Sequence, residues 1–475
     1  MADSENGHYI ALVSIHGLIR ATNLELGRNA DTGGQTKYVV ELAEALAECE
    51  GIARVDLFTR LVDDPEYGDS YAQPTEAISD KANIVRIAFG PEGYVRKEQL
   101  YENLDEFVEG VTAFVKEEGL EPAAFHGHYA DGAYAAQHLA QKFDTPFIFT
   151  GHSLGRNKVK ALGNEGLDKD EMNRQYNMDK RIEIEEKALR DADVVIASTE
   201  YEIETGYELY KAHRQANYRV VPPGIDLESF YPYYYEDDPS HTRSEAQVQA
   251  RARMRQEIVR FLNAPEKPLI LAISRPDRRK NIGGLIEAYG QDKELQKIAN
   301  LAIFAGVRKD IEQMDDNERE VLTEMLILMD KHDLYGKLAL PKKHDPDTDI
   351  PELYRMAARR QGVFVNPALV ENFGITLIEA SACGLPIVST NFGGPNDIVK
   401  NCENGILVDS RDTEEIQRAL KEILVDEELW RTYSQNGVNG VREHYVWATH
   451  CDVYLEVANE GKSRSKGEGA ATATG

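Results

Sequence analysis

A chain of 475 residues, 42% of them apolar, is long enough for two sizeable domains, each with its own core. Its 82 Asp and Glu against 54 Lys and Arg leave a formal net charge of −28, which argues against nucleic acid, because phosphate backbones are held by clustered cations. The polar, acidic start M-A-D-S-E-N-G-H-Y and the lack of an apolar run of about 18 residues exclude a signal peptide and a spanning helix on pattern, so the cytoplasm is expected and no membrane.

In chain order, apolar runs of strand length stand at 9–14, 55–59, 84–89, 123–126, 147–150, 194–198 and 218–221, with helical patterns between them. A second series follows at 269–273, 301–305, 337–340, 363–366, 386–389 and 406–408. Strands alternating with helices predict parallel sheets with crossover helices, so both halves read as α/β and doubly wound. The segment 231–268 between them opens on Y-P-Y-Y-Y-E-D-D-P-S and carries a polar helical pattern over 244–262, which places the connection there or just before it. In open parallel sheets ligands bind beyond the carboxyl ends of the strands, so motifs at strand ends come first.

The first strand runs into a loop in which Gly33 and Gly34 open a helix. Paired glycines there read equally as a cradle for phosphate or sugar and as a sterically tight turn. Asp56, 22 residues after Gly34, invites a dinucleotide reading, but G-x-G-x-x-G is absent. His126-Gly127-His128 has a spacing that suits a metal, yet only Asp131 stands near it, so no metal is expected. In F-I-F-T-G-H-S-L-G-R-N-K, His152 directly follows an apolar strand where an imidazole can meet a sugar hydroxyl, and Lys158 can hold a phosphate. Lys180-Arg181 add a basic pair at the head of another helix.

In the second half, Ser274-Arg275-Pro276-Asp277-Arg278-Arg279-Lys280-Asn281 puts four cations at a strand end, suited to a diphosphate leaving group that gains charge. Asp345, Asp347 and Asp349 match a metal-binding D-x-D formally, but their polar, proline-containing flank reads as a solvated loop. The run E-N-F-G-I-T-L-I-E sets Glu371 and Glu379 eight residues apart around a glycine turn into a helix. One carboxylate can then take sugar hydroxyls and the other ribose hydroxyls, beside N–H groups that favour an anion. A second glycine turn follows at Phe392-Gly393-Gly394-Pro395, and the polar tail from 461 is expected to be disordered, its G-K-S lacking the upstream glycine of a P-loop. Cys49, Cys383, Cys402 and Cys451 stand far apart with no C-x-x-C pair and are expected as free thiols. The acidic clusters Glu41, Glu44, Glu48 and Asp168, Asp170, Glu171 suit ordinary solubility or a protein kept soluble at high salt.

From His16 to about Glu456 the chain resembles the retaining GT-B glycosyltransferases, and more narrowly the sucrose-phosphate synthases. H-G-L-I-R with E-L-G-R-N-A-D-T-G-G-Q, and G-H-S-L-G-R-N-K, are the more specific motifs; H-G-H-Y-A-D-G, R-I-E-I-E-E, V-P-P-G-I-D, S-R-P-D-R-R-K-N, F-V-N-P-A-L-V-E-N-F-G-I-T-L-I-E-A and G-L-P-I-V-S-T-N-F-G-G-P-N-D-I accompany them. The resemblance implies two Rossmann-like domains facing an interdomain cleft. The acceptor-binding domain would span 1–240, with a helix at 441–460 packing back on it, and the nucleotide-sugar domain 241–440.

The implied reaction moves glucose from UDP-glucose to fructose 6-phosphate with retention, without an enzymic nucleophile. Catalysis is expected from His152, Arg275, Lys280 and Glu371. Arg275 and Lys280 would hold the diphosphate, Glu379 the ribose, Glu371 with the N–H groups of Phe373 and Gly374 the glucosyl hydroxyls, and His152 the glucose 6-hydroxyl. Gly34, Ile375 and Thr376 complete the expected donor contacts. Gly33, Gly34, Gln35, Lys97, Tyr129, Ser153, Lys158 and Arg181 are the acceptor contacts. No cofactor or essential metal is implied, with magnesium at most stimulatory, and a separate sucrose-phosphate phosphatase would act next, since a phosphatase-like extension is missing. Two residues depart from the pattern, Asn372 for proline and Lys180 for arginine. The rival readings are sucrose synthase, whose acceptor is free fructose, mannosylfructose-phosphate synthase, whose donor is GDP-mannose, and a non-catalytic sugar-nucleotide sensor.

Overall fold

The structure, a computed structural model, describes residues 7–25, 28–29, 31–164, 166–306, 310–345 and 347–471, with side chains up to 460. The chain forms two units, Met1–Pro223 with Trp447–Gly475, and Gly224–Val446.

The first unit carries β1 (His8–Val13), β2 (Ile52–Arg60), β3 (Thr75–Ala77), β4 (Ala82–Ile87), β5 (Pro122–His128), β6 (Phe147–Thr150), β7 (Val194–Ala197) and β8 (Tyr218–Val220) in the order β3-β4-β2-β1-β5-β6-β7-β8. All pairs are parallel except β3 with β4. Burial on both faces explains the arrangement. Ile10 and Leu12 of β1 share a core with Val39, Leu42 and Leu46 of the helix Gly34–Glu48, whereas Ala11 and Val13 share the opposite core with Ala133, Ala136 and Leu139. Successive side chains of one strand thus feed two layers of helices, and such strands read as continuous apolar runs.

The second unit repeats the plan with β9 (Leu269–Ser274), β10 (Asn300–Ala305), β11 (Leu338–Ala339), β12 (Val363–Asn366), β13 (Ile387–Thr390) and β14 (Gly405–Val408), all parallel in the order β11-β10-β9-β12-β13-β14. Ile270 and Ala272 face the core of Leu285, Ile286 and Leu420, while Leu269 and Leu271 face that of Leu353, Ala357 and Ile378. Each of the thirteen strand-length runs is a strand. The additional strand is β3, a three-residue antiparallel edge, T-E-A, too short and polar to signal itself.

The unit boundary lies at Pro223/Gly224 instead of 240/241, because the tyrosine-rich segment packs on the second unit. Arg355 donates to the Ser229 carbonyl at 2.7 Å, its guanidinium lies 3.9 Å from the Tyr231 ring centroid, and Arg359 reaches the Tyr233 carbonyl at 3.1 Å. The chain returns at Val446/Trp447 instead of 440/441, since the helix Glu427–His444 and Tyr445 belong to the second unit. The last helix, Ala448–Ala471, places Tyr454 and Val457 in the first unit's core. Its backbone continues through most of the tail expected to be disordered; the tail side chains and residues 472–475 lie outside the described residues.

One expectation about cysteine is overturned. Cys49, at the end of the helix Gly34–Glu48, is disulfide-bonded to Cys451 of the last helix, with Cα atoms 6.1 Å apart and 402 residues between them in sequence. Cys383 and Cys402 are free and buried. Spacing along the chain cannot reveal a pair that only the returning helix brings together, and such bonds are uncommon in a reducing cytoplasm. Thiol labelling of the denatured, unreduced protein is expected to modify Cys383 and Cys402 alone, and all four cysteines after reduction; four labels before reduction would show the bond absent.

Candidate active site

In the second unit the expected donor residues gather at the carboxyl ends of β9, β12 and β13, which are neighbours in the sheet. Lys280 Nζ lies 2.6 Å from Glu371 Oε2, and Asn366, the last residue of β12, donates its side-chain amide to the same oxygen at 3.0 Å. The cationic loop is tied to this carboxylate loop by Leu369 N–H donating to the Arg279 carbonyl at 2.9 Å. The two glycine turns hold each other: Glu371 N–H donates to the Phe392 carbonyl at 3.0 Å, and Gly394 N–H to the Glu371 carbonyl at 2.9 Å. Gly393 has φ +116°, and a Cβ there would fall 1.8 Å from the Glu371 carbonyl oxygen, so only glycine fits.

Gly374, at φ +101°, caps the helix Ile375–Ala382 without a side-chain hydrogen bond; Leu377 N–H donates to the Gly374 carbonyl at 2.9 Å, which leaves the N–H groups of Ile375 and Thr376 to a ligand. Phe373 and Thr376 are half-buried beside this turn, and Val370 and Ile375 are exposed large apolar side chains. Glu379, one turn into the helix, accepts from the Tyr354 hydroxyl at 3.1 Å. Arg275 is exposed and forms no ion pair among the described residues.

In the first unit the expected acceptor residues divide between a glycine loop and a cluster of cations. Gly33 and Gly34 have no positive φ, and a Cβ on either would meet nothing within 4 Å. The turn at these glycines is therefore not sterically tight. Gln35 donates its amide to Ser14 Oγ at 3.1 Å, at the end of β1. Asp31, two residues before Gly33, ties this loop to Lys97 through an ion pair with Nζ and accepts from the Tyr94 hydroxyl at 2.6 Å.

Arg181 is the most enclosed of the cations, with a side chain 1% exposed. Its Nε donates to Glu185 Oε1 at 2.9 Å, its Nη2 donates to the Ser153 carbonyl, and its guanidinium lies 4.2 Å from the Tyr129 ring centroid. Its Nη1 is buried with no hydrogen-bond partner, the kind of vacancy a phosphate oxygen fills. Lys158 Nζ lies 3.9 Å from the Tyr176 ring centroid and 4.0 Å from Glu98. Burial pushes its pKa down to about 8, with Lys97, Arg181 and Arg96 pushing the same way and Glu98 opposing. Lys180 pairs with Glu183 at 3.6 Å on its own helix.

His152 has φ +55°, a conformation that a non-glycine residue adopts only when its surroundings enforce it. Its Nε2 shares a 2.9 Å hydrogen bond with His128 Nδ1, and Tyr38 meets it edge-on at 4.9 Å. Burial, helped by His16, lowers its pKa to about 3, so the imidazole is neutral at working pH and suits hydrogen bonding more than proton transfer.

Three of the four ring nitrogens of the H-G-H pair are hydrogen-bonded, His126 with Thr150 Oγ1 at 2.9 Å and with the Tyr454 hydroxyl, and His128 Nδ1 with His152, while His128 Nε2 is buried with no hydrogen-bond partner. Asp56 is paired with Arg54 at 2.9 Å. Of the H-D-P-D-T-D acids, Asp345 caps its own loop by accepting from Thr348 N–H at 2.8 Å, whereas Asp349 is buried and paired with Arg253 at 2.5 Å, which a solvated loop does not predict. Pro346 lies outside the described residues. Sequence reasoning passed over Asp31, Tyr94, Glu98, Tyr354 and Asn366, and weighed His128 only as a metal ligand. Of these, Glu98 alone carried a local signal, a lone acid directly after Arg96-Lys97.

Comparison with known proteins decides the family. The model for "Glycosyltransferase Family 4" matches residues 32–229 and that for "Glycosyl transferases group 1" residues 254–439. "Probable sucrose-phosphate synthase 1" of Oryza sativa subsp. indica is 43% identical over 95% of this chain, and "Sucrose-phosphate synthase 1" of Arabidopsis thaliana 39% over 97%. Among solved structures, a sucrose-phosphate synthase from Thermosynechococcus elongatus superposes with a TM-score of 0.65 at 27% identity, covering 98% of this chain and 100% of that one. The chain belongs to the sucrose-phosphate synthase family. It spans about half the length of the curated family members it matches, 46% of the Oryza protein and 48% of the Arabidopsis one. The GT-B arrangement of two parallel-sheet α/β domains is that of the family, and among the described residues no helix is long and apolar enough to cross a membrane.

Proposed function

We propose that this chain transfers glucose from UDP-glucose to fructose 6-phosphate with retention, giving sucrose 6-phosphate and UDP. The observation that carries this reading is the convergence of Lys97, Lys158 and Arg181 in a protein of net charge −28, with a buried guanidinium nitrogen left unpartnered. Sucrose synthase, with a neutral acceptor, has no use for that cluster.

Arg275 and Lys280 bind the donor diphosphate and stabilise the charge it gains as the bond to glucose C1 breaks. Lys280 is already held by Glu371, so both side chains are oriented before the donor arrives. Glu371, with the N–H groups of Phe373 and Gly374, holds glucosyl hydroxyls, Glu379 holds the ribose, and Ile375 and Thr376 line the helix start. Neutral His152 holds the glucose 6-hydroxyl, and Gly34 leaves room beside the reacting atoms. Gly33, Gln35, Tyr129 and Ser153 contact the sugar of the acceptor, and Lys97, Lys158 and Arg181 its phosphate. As the C1–O bond to the diphosphate breaks, the fructose 2-hydroxyl forms the new bond on the same face and its proton passes to the departing diphosphate. No essential metal takes part, cationic side chains supplying its electrostatic role, and a separate phosphatase consumes the product.

UDP release from UDP-glucose, with ADP-glucose and GDP-mannose as competing donors and fructose 6-phosphate or fructose as acceptor, tests the reading at low and high salt. Preference for free fructose would move it to sucrose synthase, preference for GDP-mannose to the mannosyl enzyme, and no turnover with any pair to a sensor.

A pH dependence follows from Lys158. It is charged below about pH 8 and neutral above, so KM for fructose 6-phosphate is expected to rise as pH passes about 8 while the donor KM stays level. Lys158→Arg, which cannot lose its proton, should flatten that rise. An unchanged profile in the arginine variant would exclude Lys158 as its source.

A further inference from the structure

A carboxylate stands among the cations assigned to the acceptor phosphate. The Glu98 side chain is 8% exposed and lies 3.4 Å from Arg96 Nε, 3.8 Å from Lys97 Nζ and 4.0 Å from Lys158 Nζ. These contacts are longer than good hydrogen bonds, and Glu98 Oε2 is buried with no hydrogen-bond partner. Glu185, 1% exposed and one cation away, shows what a carboxylate retained for folding looks like: it accepts from Arg181 Nε, from Gly155 N–H at 3.1 Å and from the Tyr210 hydroxyl at 2.5 Å. Glu98 is balanced in charge but not fastened by hydrogen bonds. It also lines a cavity of about 260 Å3 with Arg96, Asn173, Arg174 and Asn177.

We propose that Glu98 is the resident counter-anion of the acceptor-phosphate site, balancing Arg96, Lys97 and Lys158 when no phosphate is bound and thereby weakening phosphate binding. The proposal rests on the reading of Lys97 and Lys158 as phosphate ligands. Cations this close repel one another, and an anion among them keeps the empty site charged. An arriving phosphate then competes with Glu98 for the same ammonium groups and is repelled by it, which favours release of the phosphorylated product. The charged groups around Lys158 are Glu98, Arg96, Lys97 and Arg181. Lys97 is shared with Asp31, and Arg181 with Glu185.

Glu98→Gln removes the charge at constant shape. Calorimetric titration with inorganic phosphate at pH 6.5, below the value of about 8 to which Lys158 is lowered in the parent, should show at least about fivefold tighter binding in the variant, with an acceptor KM lower by a similar factor and an unchanged donor KM. The rise in acceptor KM should also begin at lower pH, because Lys158 loses the anion that favours its charged form. Weaker or unchanged phosphate binding at pH 6.5, or a bend that does not move, would overturn the proposal. Lys158→Ala separates the two readings. If it leaves phosphate binding and acceptor KM unaltered, the acceptor site is misassigned; if it weakens both while Glu98→Gln changes neither, only the role of Glu98 falls.

Discussion

Lys280→Ala is expected to lower kcat by about 100- to 1000-fold at saturating UDP-glucose, the loss typical when one preorganised group facing transition-state charge is removed. The variant has two consequences. The diphosphate loses the ammonium that stabilises it as it departs, and Glu371 loses the partner at 2.6 Å that orients it, keeping only the Asn366 amide at 3.0 Å. UDP affinity should fall too, because UDP keeps the charge that Lys280 meets. Melting temperature should change little, since the pair is partly exposed and such pairs contribute little to folding. Steady-state kinetics with UDP binding measured alongside provides the check, and a kcat within tenfold of the parent would remove Lys280 from the leaving-group site.

Lys158→Ala should raise KM for fructose 6-phosphate by about 10- to 100-fold, the scale of one hydrogen bond to a charged group, and leave the donor KM nearly level. Arg181 needs a gentler change. Its Nε serves buried Glu185, so Arg181→Ala strands a carboxylate and should cost roughly 3–5 kcal/mol of stability, obscuring any effect on the acceptor. Arg181→Lys keeps the charge, loses the fork, and should raise the acceptor KM alone. Equal rises in both substrates' KM values in either variant would sink the phosphate-site assignment.

The legibility of the site divides by chain distance. Gly33-Gly34, His152, the cationic run at 274–281 and the Glu371–Glu379 pair were visible because each is a short motif at a strand end, and their types and spacing already state a chemistry. What holds them was not visible. The Asn366 amide on Glu371 and the Tyr354 hydroxyl on Glu379 come from other elements, as do His128 on His152 and Asp31 on Lys97. Even within the motifs, the sequence left Gly33-Gly34 evenly balanced between a tight turn and a cradle; the open space around both removes the steric reason for glycine.

For the fold, the apolar runs by themselves determined thirteen strands and two doubly wound sheets, because a strand buried on both faces needs side chains that are apolar at every position. Tertiary structure alone decided where the chain changes unit, which depends on Arg355 and Arg359 capturing the segment from Ser229 to Tyr233. It alone decided that Cys49 and Cys451 pair across 402 residues, because the returning helix brings their Cα atoms within 6.1 Å. It also brought Lys158 within 4.0 Å of Glu98, which the sequence sets beside Arg96 and Lys97 only. Local pattern records which layer a residue enters, whereas partners drawn from distant segments are fixed only when the chain closes on itself.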